Sequence, residues 1–115
     1  MIPHGVEIFV GLEPIDLRLG FDRLSGLVSE RLERGPRSGA LFVFFGKRRD
    51  AIKVLFHDGT GFCLFYKRLD AGTFRLPETE PGTSAVSLSE RELDDLLDGI
   101  EVEPKVARTR RPRMH

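Results

Sequence analysis

Asp16, Asp22, Asp50 and Asp58, with Lys53 between the last two, come nearest to a catalytic set in this sequence. Metal-dependent nucleases gather carboxylates around a divalent cation and use a lysine to assist the attacking water. The surroundings of these residues argue for simpler roles. Asp58 opens Asp58-Gly59-Thr60-Gly61, a turn composition in which the carboxylate bonds nearby backbone N–H groups, and Asp50 sits among cations in a connection. Asp16 and Asp22 flank the expected start of a helix, where negative charge favours the dipole. Cys63 is the lone cysteine, alternates with apolar residues and reads as an inert thiol. His4, His57 and His115 are scattered, and without paired cysteines no four-ligand zinc pattern arises. Gly46-Lys47 lacks both the preceding glycine-rich loop and the following Ser or Thr of a phosphate-binding turn. The sequence therefore predicts no catalytic residue, metal or cofactor, with a metal-dependent nuclease as the weakest alternative.

Binding chemistry is better represented. The chain has 18 basic and 18 acidic side chains, but they are segregated. Residues 41–69 carry six cations, Lys47, Arg48, Arg49, Lys53, Lys67 and Arg68, against Asp50 and Asp58. Residues 78–103 carry nine carboxylates against Arg91 alone, and residues 105–115 add five Lys and Arg with no acidic side chain. Such segregation points to distinct partner surfaces. Cations neutralise phosphates, and aromatics stack on bases or pack against sugars. The same cations also serve a half-buried sheet face, with their stems along aromatic rings and their charges in water.

The elements that must position these residues follow from periodicity. Val6-Glu7-Ile8-Phe9-Val10 predicts a first strand, ended by Gly11 and Pro14. Phe21, Leu24, Leu27, Val28 and Leu32 recur at three- and four-residue steps, which predicts an amphipathic helix from near Gly20 to the Gly35-Pro36 stop. The apolar runs 41–45 and 51–57, separated by Gly46-Lys47-Arg48-Arg49-Asp50, predict a strand pair. Asp58-Gly59-Thr60-Gly61 then reverses the chain into a strand over 62–68, and Thr73-Phe74-Arg75-Leu76 adds a short edge. Alternation puts Ile52, Val54, Phe56, Cys63 and Phe65 on a core face, and Lys53, His57, Phe62, Tyr66 and Arg68 on the other. Residues 77–84 read as a loop that crosses the domain. Ser89, three residues before Glu92, predicts a capping box opening a short acidic helix with Leu93, Leu96 and Leu97 inward.

The predicted fold class is α+β: a small, mostly antiparallel sheet of four to five strands, one amphipathic helix after the first strand, and a short acidic C-terminal helix. Residues 1–103 form one domain, and 104–115 a basic tail with little to bury. The lone cysteine and the absence of a basic leader followed by an apolar run predict a cytoplasmic protein, and no run is long enough to span a membrane.

Several blocks in order carry a likeness: Asp16-Leu17-Arg18-Leu19-Gly20-Phe21-Asp22-Arg23-Leu24, then Leu41-Phe42-Val43-Phe44 with Gly46-Lys47-Arg48-Arg49-Asp50, then Ile52-Lys53-Val54-Leu55. Asp58-Gly59-Thr60-Gly61-Phe62-Cys63-Leu64, Lys67-Arg68-Leu69 and Gly72-Thr73-Phe74 continue it. Over about residues 2–100 the chain resembles the TnpB-type accessory proteins of insertion sequences of the sixty-six family, leaving the basic tail outside. The resemblance implies a small accessory factor encoded beside a separate transposase and needed for efficient transposition, distinct from the RNA-guided nuclease that shares the TnpB name. Two binding hypotheses follow. Lys47, Arg48, Arg49, Lys53, Lys67 and Arg68 contact DNA phosphates, or the domain docks on the transposase through Tyr66 and the acidic helix residues Glu90, Glu92, Asp94 and Asp95.

Overall fold

The computed structural model describes residues 5–75 and 79–99. Ile8–Gly11 (β1) is short and wholly buried. Phe21–Arg31 (α1) follows and buries Leu24 and Val28, while Leu32 caps its end from the same stripe. Leu41–Phe45 (β2) runs parallel to β1, pairing Ile8 with Leu41 and Val10 with Val43, so β1, α1 and β2 form a crossover unit. Its five residues are apolar without alternation because both faces of the strand are covered.

Ala51–His57 (β3) and Phe62–Arg68 (β4) extend the sheet antiparallel, from Ala51 opposite Arg68 to His57 opposite Phe62. The chain then crosses to the far edge, where Ala85–Leu88 (β5) pairs antiparallel with β1, giving the order β4-β3-β2-β1-β5. Glu90–Leu97 (α2) closes the described fold, with Ser89 as its N-cap. The Ser89 hydroxyl accepts from Glu92 N–H at 3.1 Å, and the Glu92 carboxylate accepts from Ser89 N–H at 2.8 Å. This is the predicted capping box.

The sheet divides two apolar layers. On one face Ile8, Val10, Leu41, Val43, Ile52, Val54 and Phe56 pack with Leu93 and Leu96 of α2. On the other, Phe42, Phe44 and Leu55 pack with Leu24 and Val28 of α1. Fully burying a side chain such as Phe42, which is 0% exposed, contributes about 3 kcal/mol.

Three expectations are corrected. Residues 73–75 are not a strand; Phe74 instead plugs the α2-side layer at 1% exposure, edge-on to Phe45 with centroids 6.0 Å apart, and Leu76 lies outside the described residues. The fifth strand is β5, whose four residues alternate half-buried and buried but follow a polar loop and are too few to stand out as a strand. Phe21, expected on the buried stripe of α1, is 46% exposed in its first turn. The basic tail over 104–115 lies outside the described residues.

Candidate nucleic-acid interface

The connection between β2 and β3 is held by its backbone while its side chains stay in water. Arg49 N–H donates to the Gly46 carbonyl at 3.1 Å, closing a turn over Lys47 and Arg48. Arg49 then takes a left-handed conformation, φ 58°, which suits glycine better and costs about 1–2 kcal/mol in other residues. Its carbonyl accepts from Phe74 N–H at 2.7 Å, and the Asp50 carbonyl accepts from Leu69 N–H at 2.8 Å. Gly46 is buried against Leu17, whose Cδ1 would lie 2.7 Å from an added Cβ. The turn is thus tied to the β1–α1 loop on one side and to the chain leaving β4 on the other.

Lys47, Arg48 and Arg49 are all exposed, and among the described residues no hydrogen bond or ion pair engages their side chains. Arg68, opposite Ala51, ends β4 at the same end of the sheet and is exposed as well. The Phe74–Arg49 backbone bond brings the exposed Arg75 to this end, a cation that a strand assignment for 73–76 concealed.

The other two sequence-predicted cations have internal duties. Lys53 Nζ donates to the Leu19 carbonyl at 2.8 Å and lies 5.4 Å from the Tyr66 ring centroid, tying β3 to the approach of α1. Lys67 Nζ donates to the Leu97 carbonyl at 2.7 Å, where a cation satisfies the end of α2 and its dipole. Lys53 faces α1 and Lys67 faces α2, so the six cations do not share one surface.

The nearby carboxylates do not neutralise the turn. Asp16 accepts from Arg18 Nη2 at 2.8 Å, Nε at 3.0 Å and backbone N–H at 2.9 Å. That bonding, with Lys53's charge as a smaller contribution, brings the Asp16 carboxyl down to about 2 and raises the Arg18 guanidinium. Between the two loops lies an open cleft of about 400 Å³, lined by Ile15, Asp16, Leu17, Lys47, Arg48 and Asp50 among others. It opens at the carboxyl ends of the parallel pair β1 and β2.

The carboxylates considered for metal chemistry are dispersed. Asp58 belongs to the β3–β4 turn at the opposite end of the sheet from Asp16. It accepts from Thr60 N–H at 2.8 Å, Thr60 Oγ1 at 2.9 Å and Gly61 N–H at 3.0 Å, which brings its carboxyl to about 2. Among the described residues no three His, Cys, Asp or Glu side chains come together as metal ligands. The Cys63 thiol is pushed up by desolvation and by Asp58, against a nucleophilic role.

The sequence-predicted partner surface is also divided. Tyr66 is 55% exposed on β4, and Asp94 is exposed on α2 while Asp95 is half-buried. Glu92 completes the capping box and Glu90 accepts from Gly5 N–H, so both carboxylates also serve the fold. No helix among the described residues is long and apolar enough to cross a membrane.

A family model described as IS66 Orf2 like protein matches residues 6–107, which takes the likeness three residues past Pro104. The uncharacterized protein y4hO of Sinorhizobium fredii is 42% identical over 103 residues, covering 88% of each chain. The uncharacterized protein y4jC of the same organism is 35% identical over 98 residues, covering 85% of this chain and 82% of its own. No solved structure matches.

Proposed function

We propose, from the premise that this chain belongs to the IS66 Orf2-like family, that it assists transposition by holding DNA backbone against the β2–β3 turn while a separate transposase performs the chemistry. Membership makes the chain a transposition-associated accessory protein of an insertion sequence. The finer reading rests on one observation: Lys47, Arg48 and Arg49 project from a backbone-anchored turn with no internal partner among the described residues. Cations with no structural duty and little backbone ordering to lose suit phosphate binding. In this reading Lys53 and Lys67 shape the platform, and Arg68 and Arg75 widen the patch. The protein acts in the cytoplasm, needs no cofactor and supplies no catalytic group.

The test is binding of the purified chain to labelled element-end DNA and to unrelated duplex across a salt series, beside a Lys47/Arg48/Arg49 triple-alanine variant. The expected result is salt-sensitive binding, largely lost in the variant while its melting temperature holds. Equal binding by both proteins, or none at low salt, would reject the turn as the contact. A second reading, docking on the transposase through Tyr66 and the acidic face of α2, draws support from the exposure of Tyr66. Capture of transposase that is abolished by Tyr66→Ala, with DNA affinity unchanged, would favour it.

A further inference from the structure

The outer edge of β4 is the longest stretch of unpaired sheet backbone in the described structure, and its pattern can be read residue by residue. Asp58 N–H donates to the Gly61 carbonyl at 3.0 Å and Leu69 N–H to the Asp50 carbonyl at 2.8 Å. Both pairs continue the β3–β4 register, which matches Phe56 with Cys63, Val54 with Phe65 and Ile52 with Lys67. In an antiparallel ladder hydrogen-bonded and non-bonded pairs alternate. Cys63, Phe65 and Lys67 therefore turn their N–H and C=O groups toward β3. Phe62, Leu64, Tyr66 and Arg68 turn theirs outward, and no hydrogen bond among the described residues engages them.

An open, seven-residue, largely apolar edge invites strand pairing. We infer that β4 is a self-association edge, on which the occupant is β4 of a second copy running antiparallel. Placing the twofold axis at Phe65 pairs Leu64 with Tyr66 of the other copy and Phe62 with its Arg68. All the outward groups are then used, each pair exchanging two hydrogen bonds. The same register sets Phe65 against Phe65 and Lys67 against Cys63, so aromatic groups meet at the centre and no cation faces a cation. Sliding the copies so that their cationic ends overlap puts Lys67 opposite Lys67, which disfavours that register. The chain's formal net charge of zero adds no overall repulsion between copies.

The test uses the full chain in sedimentation or light scattering over the micromolar range. The expected species has twice the 13.0 kDa mass of the chain. Tyr66→Pro deletes one outward N–H and leaves the β3 ladder its donors, so it should weaken the dimer at least tenfold while the folded circular dichroism spectrum survives. A dimer unaffected by that change overturns the assignment, as does a monomer throughout the concentration range, including one that pairs β4 only with a transposase segment. Phe65→Cys supplies an independent check of register. Opposed non-bonded positions lie about 4.5 Å apart at Cα, within disulfide reach. Two native Cys63 residues would be offset by about 13 Å along the strands and stay unlinked. Oxidised glutathione, as the two-electron acceptor, should therefore link the Phe65→Cys protein into a covalent dimer and leave the parent chain unlinked. Equal linkage of both proteins, or linkage of neither while Phe65→Cys remains folded, refutes the register.

Discussion

One methyl group tests how the basic turn is held. Gly46 follows β2 and lies against Leu17, and a Cβ there would lie 2.7 Å from Leu17 Cδ1 and 3.1 Å from Cγ. Leu17 packs partly buried against the α1-side layer, so Gly46→Ala forces it to move within a filled space. Overpacking of this kind costs about 1–3 kcal/mol, and the yielding atoms are the end of a flexible side chain, which favours the lower half, about 1–2 kcal/mol. For a domain of this size that is a fall in melting temperature of about 4–8 °C. Leu17→Ala alone should cost about 1–2 kcal/mol, below the range of a fully buried leucine. Combined, the two changes should cost no more than Leu17→Ala by itself, because the atom that collides is gone. Urea denaturation of the parent, both single variants and the double variant measures the coupling. Costs that add to within about 0.5 kcal/mol would refute the packing argument, since independent sites behave that way.

Lys53→Met and Lys67→Met should each destabilise the fold by about 1–2 kcal/mol in chemical denaturation, because the Leu19 and Leu97 carbonyls lose their donors. Alanine at Lys47 or Arg48 should leave the same midpoint unchanged. Ser89→Ala should cost about 1 kcal/mol by removing the α2 cap, and Ser89→Asp should retain most of it, read as melting temperatures. The Asp16 carboxyl lies at about 2 in the folded protein against an ordinary 3.8. Its stabilising contribution is therefore present above the ordinary value and lost as pH falls from there through about 2. Arg18→Ala should return the Asp16 titration, followed by carboxyl NMR, toward the ordinary value, and an unmoved titration would refute Arg18 as the cause.

The parts of the fold legible in the sequence were those where one residue pattern had one physical solution. The predicted runs 41–45, 51–57 and 62–68 coincide with β2, β3 and β4, because each is apolar, short and bounded by turn residues. The Ser89–Glu92 spacing located α2 because a capping box acts within one turn. Ala85–Leu88 was not legible as a strand: its place is set by pairing with β1, a contact between segments more than 70 residues apart. The role of Phe74 was hidden for a different reason: it fills the layer beside Phe45 from irregular backbone, which carries no periodicity to read. Alternation already separated Lys67 from Lys53 and Arg68. It could not reveal that Lys53 reaches Leu19 or Lys67 reaches Leu97, since both acceptors are backbone carbonyls that only the tertiary fold brings near.

That division of the cations limits what the proposed DNA contact can achieve alone. The central strands are covered on one face by α1 and on the other by α2, so a DNA contact falls to the loop ends and the sheet margins. If Lys47, Arg48 and Arg49 each neutralise one phosphate, the logarithm of affinity falls with the logarithm of salt at a slope of about −2.7. Arg68 and Arg75 would steepen it to about −4.5. Such a footprint is about half the 6–10 phosphates of a site-committed DNA binder. A single copy making only these contacts would hold DNA weakly, through phosphates alone. Pairing through β4 would place two basic turns in one rigid body at opposite ends of the shared sheet, and two weak contacts on one duplex act at a high effective concentration. Affinity for DNA long enough to reach both turns should then depend on Tyr66, a residue outside the basic patch, while affinity for a short duplex should not.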